Sequence, residues 1–153
     1  MKPVLIIEDD KKKIGDIKDY LSTQKIEDIV IKESYQSGLR ELLANSDKYS
    51  ILLLDMSLPT WDKSPNELSG HFEKFGGYNI LKELVRKNKQ VPTILVTMFD
   101  NFGESDNSID LKEINKILSS EFSEFYAGVV YYNSRENKWR DELRRLLDKI
   151  ERK

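Results

Sequence analysis

The sequence of 153 residues contains no cysteine and a single histidine, His71. Without cysteine the chain has no disulfide and no thiolate metal site. One histidine excludes a multi-histidine metal site, and it would have to serve as the base of any Ser-His-Asp triad. Any metal site in this chain would therefore depend on oxygen ligands.

Long hydrophobic runs and an excess of one charge are also missing. The longest clean apolar runs, residues 4–7 and 51–54, are far shorter than the roughly 20 residues that cross a bilayer. The N-terminal residues lack the features of a signal peptide. Lys and Arg number 25 against 27 Asp and Glu, which does not favour binding to nucleic acid or membrane. We expect a cytoplasmic protein that binds neither directly.

Short apolar runs alternate with helical patterns along the chain. Five runs are typical of buried strands: residues 4–7, 29–31, 51–54, 93–96 and 129–131. After each of them, apolar residues recur at helical spacings of three and four. This alternation predicts an α/β fold, a doubly wound five-stranded parallel sheet with helices on both faces. The length predicts a single domain over residues 1–153.

Two stretches of the chain are longer than the connections that a simple alternation of strands and helices needs. Residues 57–77 combine prolines and glycines with aromatic residues, which predicts a long loop. Residues 99–126 predict a polar loop followed by a long helix, with Asp110 as its cap. The run Lys11–Lys13 predicts a solvated start to the first helix.

Acidic residues follow the first and third apolar runs, at the sheet edge where parallel sheets bind ligands. Glu8 and Asp9 follow the first run, Asp55 follows the third, and Thr97 follows the fourth. Clustered carboxylates repel one another, and a hard cation such as Mg²⁺ relieves this repulsion. A carboxylate beside Mg²⁺ can act as nucleophile toward a phosphoryl group, while a hydroxyl holds a phosphoryl oxygen.

The chain resembles the receiver domain of two-component response regulators. Three pieces carry the resemblance, in the family's order: VLIIEDD at 4–10, LLLDMSLP at 52–59 and VPTILVT at 91–97. It extends over essentially the whole chain and implies a flavodoxin-like topology. It also implies a signalling receiver rather than an enzyme, since such a domain at most catalyses its own phosphotransfer and dephosphorylation.

The resemblance implies a role for each of these residues. Asp55 would be the phosphoacceptor, supplied by a sensor histidine kinase or a phosphotransfer protein. Mg²⁺ would be held by Glu8, Asp9, Asp55 and the backbone carbonyl of Ser57, and Thr97 would contact the phosphoryl group. Output would come through contact with an unknown protein, unless the chain is part of a longer one. A homodimer through the fourth and fifth helices stays open.

Three positions depart from the receiver pattern. Tyr132 stands where receivers usually carry a lysine that pairs with the phosphoacceptor, and a tyrosine has no positive charge at pH 7. Met98 stands where receivers usually have a small residue, and Val129 stands where they usually have the aromatic residue that takes part in switching. Lys63 or Lys74 in the long loop is a candidate substitute cation. The departures indicate an atypical receiver with altered phosphoryl lifetime or switching.

Two other functions stay open. The acidic pocket could be vestigial, in a docking module that works without phosphorylation. A phosphatase of the haloacid-dehalogenase type also uses an aspartate at a strand end, but it needs a second aspartate two residues later, where this chain has Ser57. A dinucleotide-binding enzyme is disfavoured, because no glycine-rich turn follows the first strand.

Overall fold

The computed structural model describes residues 2–62, 71–102 and 108–152. Its central sheet consists of five parallel strands, which we number β1 to β5: Val4–Ile7, Ile29–Lys32, Ile51–Leu54, Thr93–Thr97 and Tyr126–Tyr131. The strands lie in the order β2-β1-β3-β4-β5. The predicted parallel sheet is therefore confirmed, with β5 beginning three residues earlier than its apolar run indicated.

Five α-helices connect and follow the strands, numbered α1 to α5: Lys11–Thr23, Tyr35–Asn45, Gly76–Arg86, Leu111–Glu121 and Lys138–Glu151. Helices α1 and α5 pack on one face of the sheet, and α2, α3 and α4 pack on the other. The predicted cap of α4 is confirmed, since the Asp110 carboxylate accepts a hydrogen bond of 2.9 Å from the Glu113 N–H. In the described residues, no helix has the length and apolar character needed to cross a membrane.

Strands β1 and β3 form the centre of the sheet, and each of their residues is fully buried. Their side chains alternate between the two apolar clusters that the helices cover. This explains why both strands are apolar on both faces, as is usual for the inner strands of a parallel sheet. The parallel arrangement brings the carboxyl ends of β1, β3 and β4 to one edge.

The two extra stretches each contain a short antiparallel strand pair. Leu58–Pro59 pairs with Phe72–Glu73, inside the stretch predicted as a loop over residues 57–77. Asn101–Phe102 pairs with Ile109–Asp110, just before α4. Both pairs arise next to the carboxyl ends of core strands, so they extend the molecule at the edge where the acidic residues lie.

Candidate functional site

The carboxyl ends of the inner strands open into a cavity of about 790 Å³. Its lining includes four acidic residues and one serine that the sequence singled out or implied: Glu8, Asp9, Asp10, Asp55 and Ser57. The structure thus brings the predicted phosphoacceptor and the predicted metal ligands to one cavity. Thr97 ends β4 and is fully buried, and it is not part of the described lining.

Asp55 follows β3 directly and is 3% exposed. Its Oδ1 atom accepts a hydrogen bond of 2.7 Å from the N–H of Met56. Its Oδ2 atom lies 3.3 Å from the ammonium nitrogen of Lys13. Both carboxylate oxygens therefore have fixed partners, which holds the side chain in one orientation toward the cavity.

Lys13 is the residue that the sequence interpretation placed wrongly. Lys11 and Lys12 are exposed at the start of α1, as predicted, but the side chain of Lys13 has no exposed area. Helical spacing explains the difference, because Lys13 lies four residues before Ile17 and therefore on the buried stripe of α1. That spacing was readable in the sequence and was obscured by treating three lysines as one charged run.

The ammonium group of Lys13 is fully buried beside two carboxylates that line the cavity. It forms ion pairs with Glu8 and Asp55. It also donates a hydrogen bond of 2.6 Å to the backbone carbonyl of Val96 in β4. A buried ammonium needs such partners, because an unpaired charge in the interior is very costly.

Glu8 is 2% exposed and is held by the backbone of the turn before α1 as well as by Lys13. Its Oε2 atom accepts hydrogen bonds from the N–H groups of Asp9 and Asp10, at 3.0 and 3.1 Å. Burial raises the pKa of Glu8 to about 8, and the negative charge of Asp55 adds to the rise while Lys13 opposes it. The ion pair with Lys13 therefore does not fully offset the cost of burying the Glu8 carboxylate.

A glycine at the start of α3 shapes the turn that carries Asp55. The N–H of Gly77 donates a hydrogen bond of 2.8 Å to the carbonyl of Met56. A Cβ atom on Gly77 would lie 2.5 Å from the backbone oxygen of Asp55, closer than real Cβ atoms come. Only glycine lets α3 pack this closely, a role that the sequence interpretation did not assign.

Thr97 organises the turn after β4. Its Oγ1 atom accepts a hydrogen bond of 3.2 Å from the N–H of Phe99. Phe99 lines the cavity and is 48% exposed, with Met98 beside it in the lining. The hydroxyl thus connects the end of β4 to a wall of the cavity.

The side chain of Tyr132 contacts α1 and α5. Its hydroxyl donates a hydrogen bond to the carboxylate of Asp16 in α1, and its ring packs against Trp139 at 5.3 Å between centroids. Burial and the bond to Asp16 raise the pKa of Tyr132, and the same bond lowers the pKa of Asp16. In the contacts of the described residues, Tyr132 belongs to the apolar cluster under α1 and α5.

The two extra stretches supply the outer wall of the cavity. Phe72 and Lys74 line it from the first stretch, and Asn101 and Phe102 line it from the second. Lys74, one of the two predicted substitute cations, is therefore at the cavity. Lys63, the other, lies outside the described residues.

The residues present fit a magnesium ion. Glu8, Asp9 and Asp55 offer only oxygen atoms, the ligands that Mg²⁺ prefers. Burial and the charge of Asp55 both disfavour the charged form of Glu8, and a divalent cation in the cavity would stabilise that form. Among the described residues no three acidic or histidine side chains form a ready-made metal site. An ion would draw on carboxylates of this set and complete its shell with carbonyl, water or phosphoryl oxygens, as Mg²⁺ commonly does.

Comparisons with known proteins agree with this architecture. No protein-family model matches the sequence. The chain is 27% identical to the uncharacterized protein y4jR of Sinorhizobium fredii over 144 residues, which are 92% of this chain and 93% of that protein. It is 28% identical to the Detocs response regulatory protein DtcB of Enterobacter cloacae over 102 residues, which are 66% of this chain and 68% of that protein.

The similar solved structures are receiver domains. The receiver domain of the Francisella response regulator 1452 matches with a TM-score of 0.62 and 21% identity, over 99% of this chain and 98% of that one. A CheY-like receiver domain protein from Methanospirillum hungatei matches with a TM-score of 0.62 and 18% identity, over 99% and 95%. The chain therefore has the fold of response-regulator receiver domains, as the three motifs of its sequence predicted.

Proposed function

We propose that this chain is a signalling receiver that accepts a phosphoryl group on Asp55 from a phosphohistidine of a sensor kinase or a phosphotransfer protein. The observation that carries the proposal is the position of Asp55. It is a buried carboxylate at the end of the central strand, it lines a cavity with other acidic residues, and both its oxygens have fixed partners. The similarity to a response regulatory protein supports the same function.

In the transfer step, an oxygen of Asp55 forms a bond to phosphorus while the bond from phosphorus to the donor imidazole nitrogen breaks. The bonding electrons go to the imidazole, which leaves neutral once protonated. The Met56 N–H orients the carboxylate for attack. Reactions of this kind depend on positioning and on stabilising the charge of the phosphoryl oxygens.

Magnesium would be held by Glu8, Asp9, Asp55 and the backbone carbonyl of Ser57, which all line the cavity. When bound, the ion would supply charge neutralisation to the phosphoryl oxygens. Thr97 would respond to the phosphoryl group through its hydroxyl, which now accepts from Phe99. The domain would act as a cytoplasmic signalling module, with output through a protein partner.

The test uses acetyl phosphate with Mg²⁺, followed by intact mass measurement. The native protein should gain the mass of one phosphoryl group, and Asp55→Asn should gain none. An unmodified native protein, under conditions that label an ordinary receiver, would reject the proposal.

That negative result would favour a docking module that works without phosphorylation. Tyr132 favours this second function, because it puts no positive charge at the position implied for the receivers' lysine and its hydroxyl is bonded to Asp16. A phosphatase of the haloacid-dehalogenase type would be revived only by turnover of p-nitrophenyl phosphate that depends on Asp55.

A further inference from the structure

We propose that Lys13 is the cation of the phosphoryl site, acting from α1 in place of the lysine that receivers carry at the Tyr132 position. The proposal rests on the proposed function, since it requires Asp55 to be the phosphoacceptor. It assigns Lys13 two tasks: it holds the free carboxylate of Asp55, and it neutralises the phosphoryl oxygens once they are attached.

The geometry supplies the first argument. The ammonium of Lys13 is 3.3 Å from Asp55 Oδ2 and also pairs with Glu8. These two acidic residues directly follow β3 and β1. The hydrogen bond of 2.6 Å from Lys13 to the Val96 carbonyl fixes the ammonium beside Thr97, the next residue of β4. The charge therefore contacts residues at the carboxyl ends of three neighbouring strands, β1, β3 and β4.

The energetics supply the second argument. Position 13 belongs to the buried stripe of α1, where Ile14, Ile17 and Leu21 are the other buried residues. An apolar side chain at such a position usually serves stability as well as a buried ion pair does, or better. The presence of a lysine at this core position, with its ammonium beside a carboxylate, is thus better explained by the chemistry of the site than by a contribution to folding stability.

The neighbouring lysines of α1 line the cavity but pair with other carboxylates. Lys11 pairs with Glu33, and Lys12 pairs with Asp16 at 3.0 Å. Both side chains are largely exposed, so water screens their charges, whereas the charge of Lys13 acts in a dry environment. Lys18 is also exposed on α1 and is not among the residues that line the cavity, so it is a suitable control for Lys13.

The role of Lys13 requires no proton transfer. With acetyl phosphate as donor, an oxygen of Asp55 bonds to phosphorus, the bond from phosphorus to the acetyl oxygen breaks, and acetate leaves with the electron pair. Lys13 stays an ammonium throughout and donates its hydrogen bonds to whichever oxygens carry the charge. Charged donors of this kind form hydrogen bonds roughly twice as strong as neutral ones.

The first experiment compares the rates of labelling by acetyl phosphate and Mg²⁺ for the native protein, Lys13→Met, Lys13→Gln and Lys18→Met. Thermal melting establishes that each variant is folded. We expect both Lys13 variants to react about 100-fold more slowly, the usual effect of removing one charge-stabilising donor. Lys18→Met should react within about twofold of the native rate, since it loses an equal charge that is exposed and away from the cavity lining.

The outcomes separate this inference from the proposed function. A native protein that is not labelled at all rejects the proposed function, and this inference fails with it. A native protein that is labelled, with a folded Lys13→Gln that matches its labelling rate and its phosphoryl lifetime, overturns this inference and leaves the proposed function standing.

A second measurement uses the native chain and so does not depend on the stability of the variants. The Nζ resonance of Lys13 is observed by NMR in protein labelled with ¹⁵N-lysine, before and after addition of Mg²⁺ and beryllofluoride, which imitates a phosphoryl group. We expect this resonance to shift, because new charge would face the ammonium. If Asp55 binds beryllofluoride while the Lys13 resonance keeps its position, the inference is overturned.

Discussion

The hydroxyl of Tyr132 donates a hydrogen bond to the carboxylate of Asp16, joining the residue after β5 to the middle of α1. Tyr132 is buried and the side chain of Asp16 is 19% exposed, so the bond is largely shielded from water. Tyr132, which the resemblance to receivers places at their usual lysine position, thus forms part of the packing between a strand and a helix.

Replacing Tyr132 with phenylalanine should remove this bond and destabilise the protein at neutral pH by about 1.5 kcal/mol, the value of a hydrogen bond to a charged group. The bond lowers the pKa of Asp16, so its contribution is complete above the ordinary aspartate pKa of about 3.9. It is lost as the pH falls through the lowered pKa of Asp16. Urea unfolding of both proteins at several pH values should therefore show a gap that narrows in acid.

The control is Tyr131→Phe, which removes the hydroxyl of the neighbouring tyrosine. Tyr131 is 46% exposed, so the unfolding free energy of the Tyr131→Phe protein should differ little from that of the native protein. An equal loss in the two variants, or a gap that is independent of pH, would contradict the assigned role of the Tyr132 hydroxyl.

Replacing Gly77 with alanine should destabilise the fold by about 1–3 kcal/mol, as overpacking of a tight contact usually does. The added Cβ would meet backbone atoms of Asp55 and Met56, at 2.5 and 3.0 Å, and backbone cannot move aside easily. Chemical denaturation measures the loss.

Gly15 offers a matched comparison within α1, because a Cβ there would meet nothing within 4 Å. Gly15→Ala should raise the unfolding free energy by about 0.5–1 kcal/mol, the helix preference of alanine over glycine. A Gly77→Ala variant that is as stable as the native protein, or more stable, would show that the approach of α3 to the Asp55 turn is not tight.

Thr97→Val and Thr93→Val test whether the hydroxyl at the end of β4 has a role beyond folding. Both threonines are fully buried in the same strand, and each hydroxyl makes one hydrogen bond, with the Phe99 N–H and with the Val91 carbonyl respectively. Each substitution should cost about 1 kcal/mol of stability. Only Thr97→Val should change the labelling rate or the phosphoryl lifetime of Asp55, because Thr93 lies at the opposite end of the strand.

Labelling by acetyl phosphate, followed by mass measurement over time, provides the comparison. If Thr93→Val changed phosphorylation as much as Thr97→Val does, the effect would belong to strand stability rather than to the position of the hydroxyl.

Asp9→Asn and Asp10→Asn should separate metal binding from helix capping. Both residues line the cavity, but the Asp10 carboxylate accepts a hydrogen bond of 3.0 Å from the Lys13 N–H as the cap of α1. Asn is also a good cap, so Asp10→Asn should change stability by a few tenths of a kcal/mol and Mg²⁺ affinity little. Asp9→Asn should weaken Mg²⁺ binding about tenfold or more, since it removes a charged ligand.

Titration calorimetry with Mg²⁺ measures both affinities. A weaker affinity in Asp10→Asn than in Asp9→Asn would exchange the assigned roles of the two residues. Removing Mg²⁺ with a chelator should also abolish labelling of the native protein.

The parts of the fold that depend on repeated local patterns could be predicted from sequence. Residues 4–7 and 51–54 are apolar on both faces because they are inner strands, and that pattern alone indicated a parallel sheet. The pairs formed by Leu58–Pro59 and Asn101–Phe102 could not be predicted, because two residues are too few to show a period.

The site was partly predictable for a different reason. Glu8 and Asp55 follow strands directly, so the end of the strand gives their position. Lys13 acts across the fold, and its partner Val96 is 83 residues away in the chain. Tyr132 could be placed at a strand end, but the direction of its side chain depends on packing against Trp139. The metal ligands and the phosphoacceptor remain predictions.

The location of Lys13 has a consequence for how such chains are classified. A comparison of this sequence with the receiver motif, position by position, would classify the protein as lacking the site's lysine, because Tyr132 stands at the corresponding position. If Lys13 is the cation of the phosphoryl site, as proposed, such a comparison would overlook the ammonium that lies 3.3 Å from Asp55.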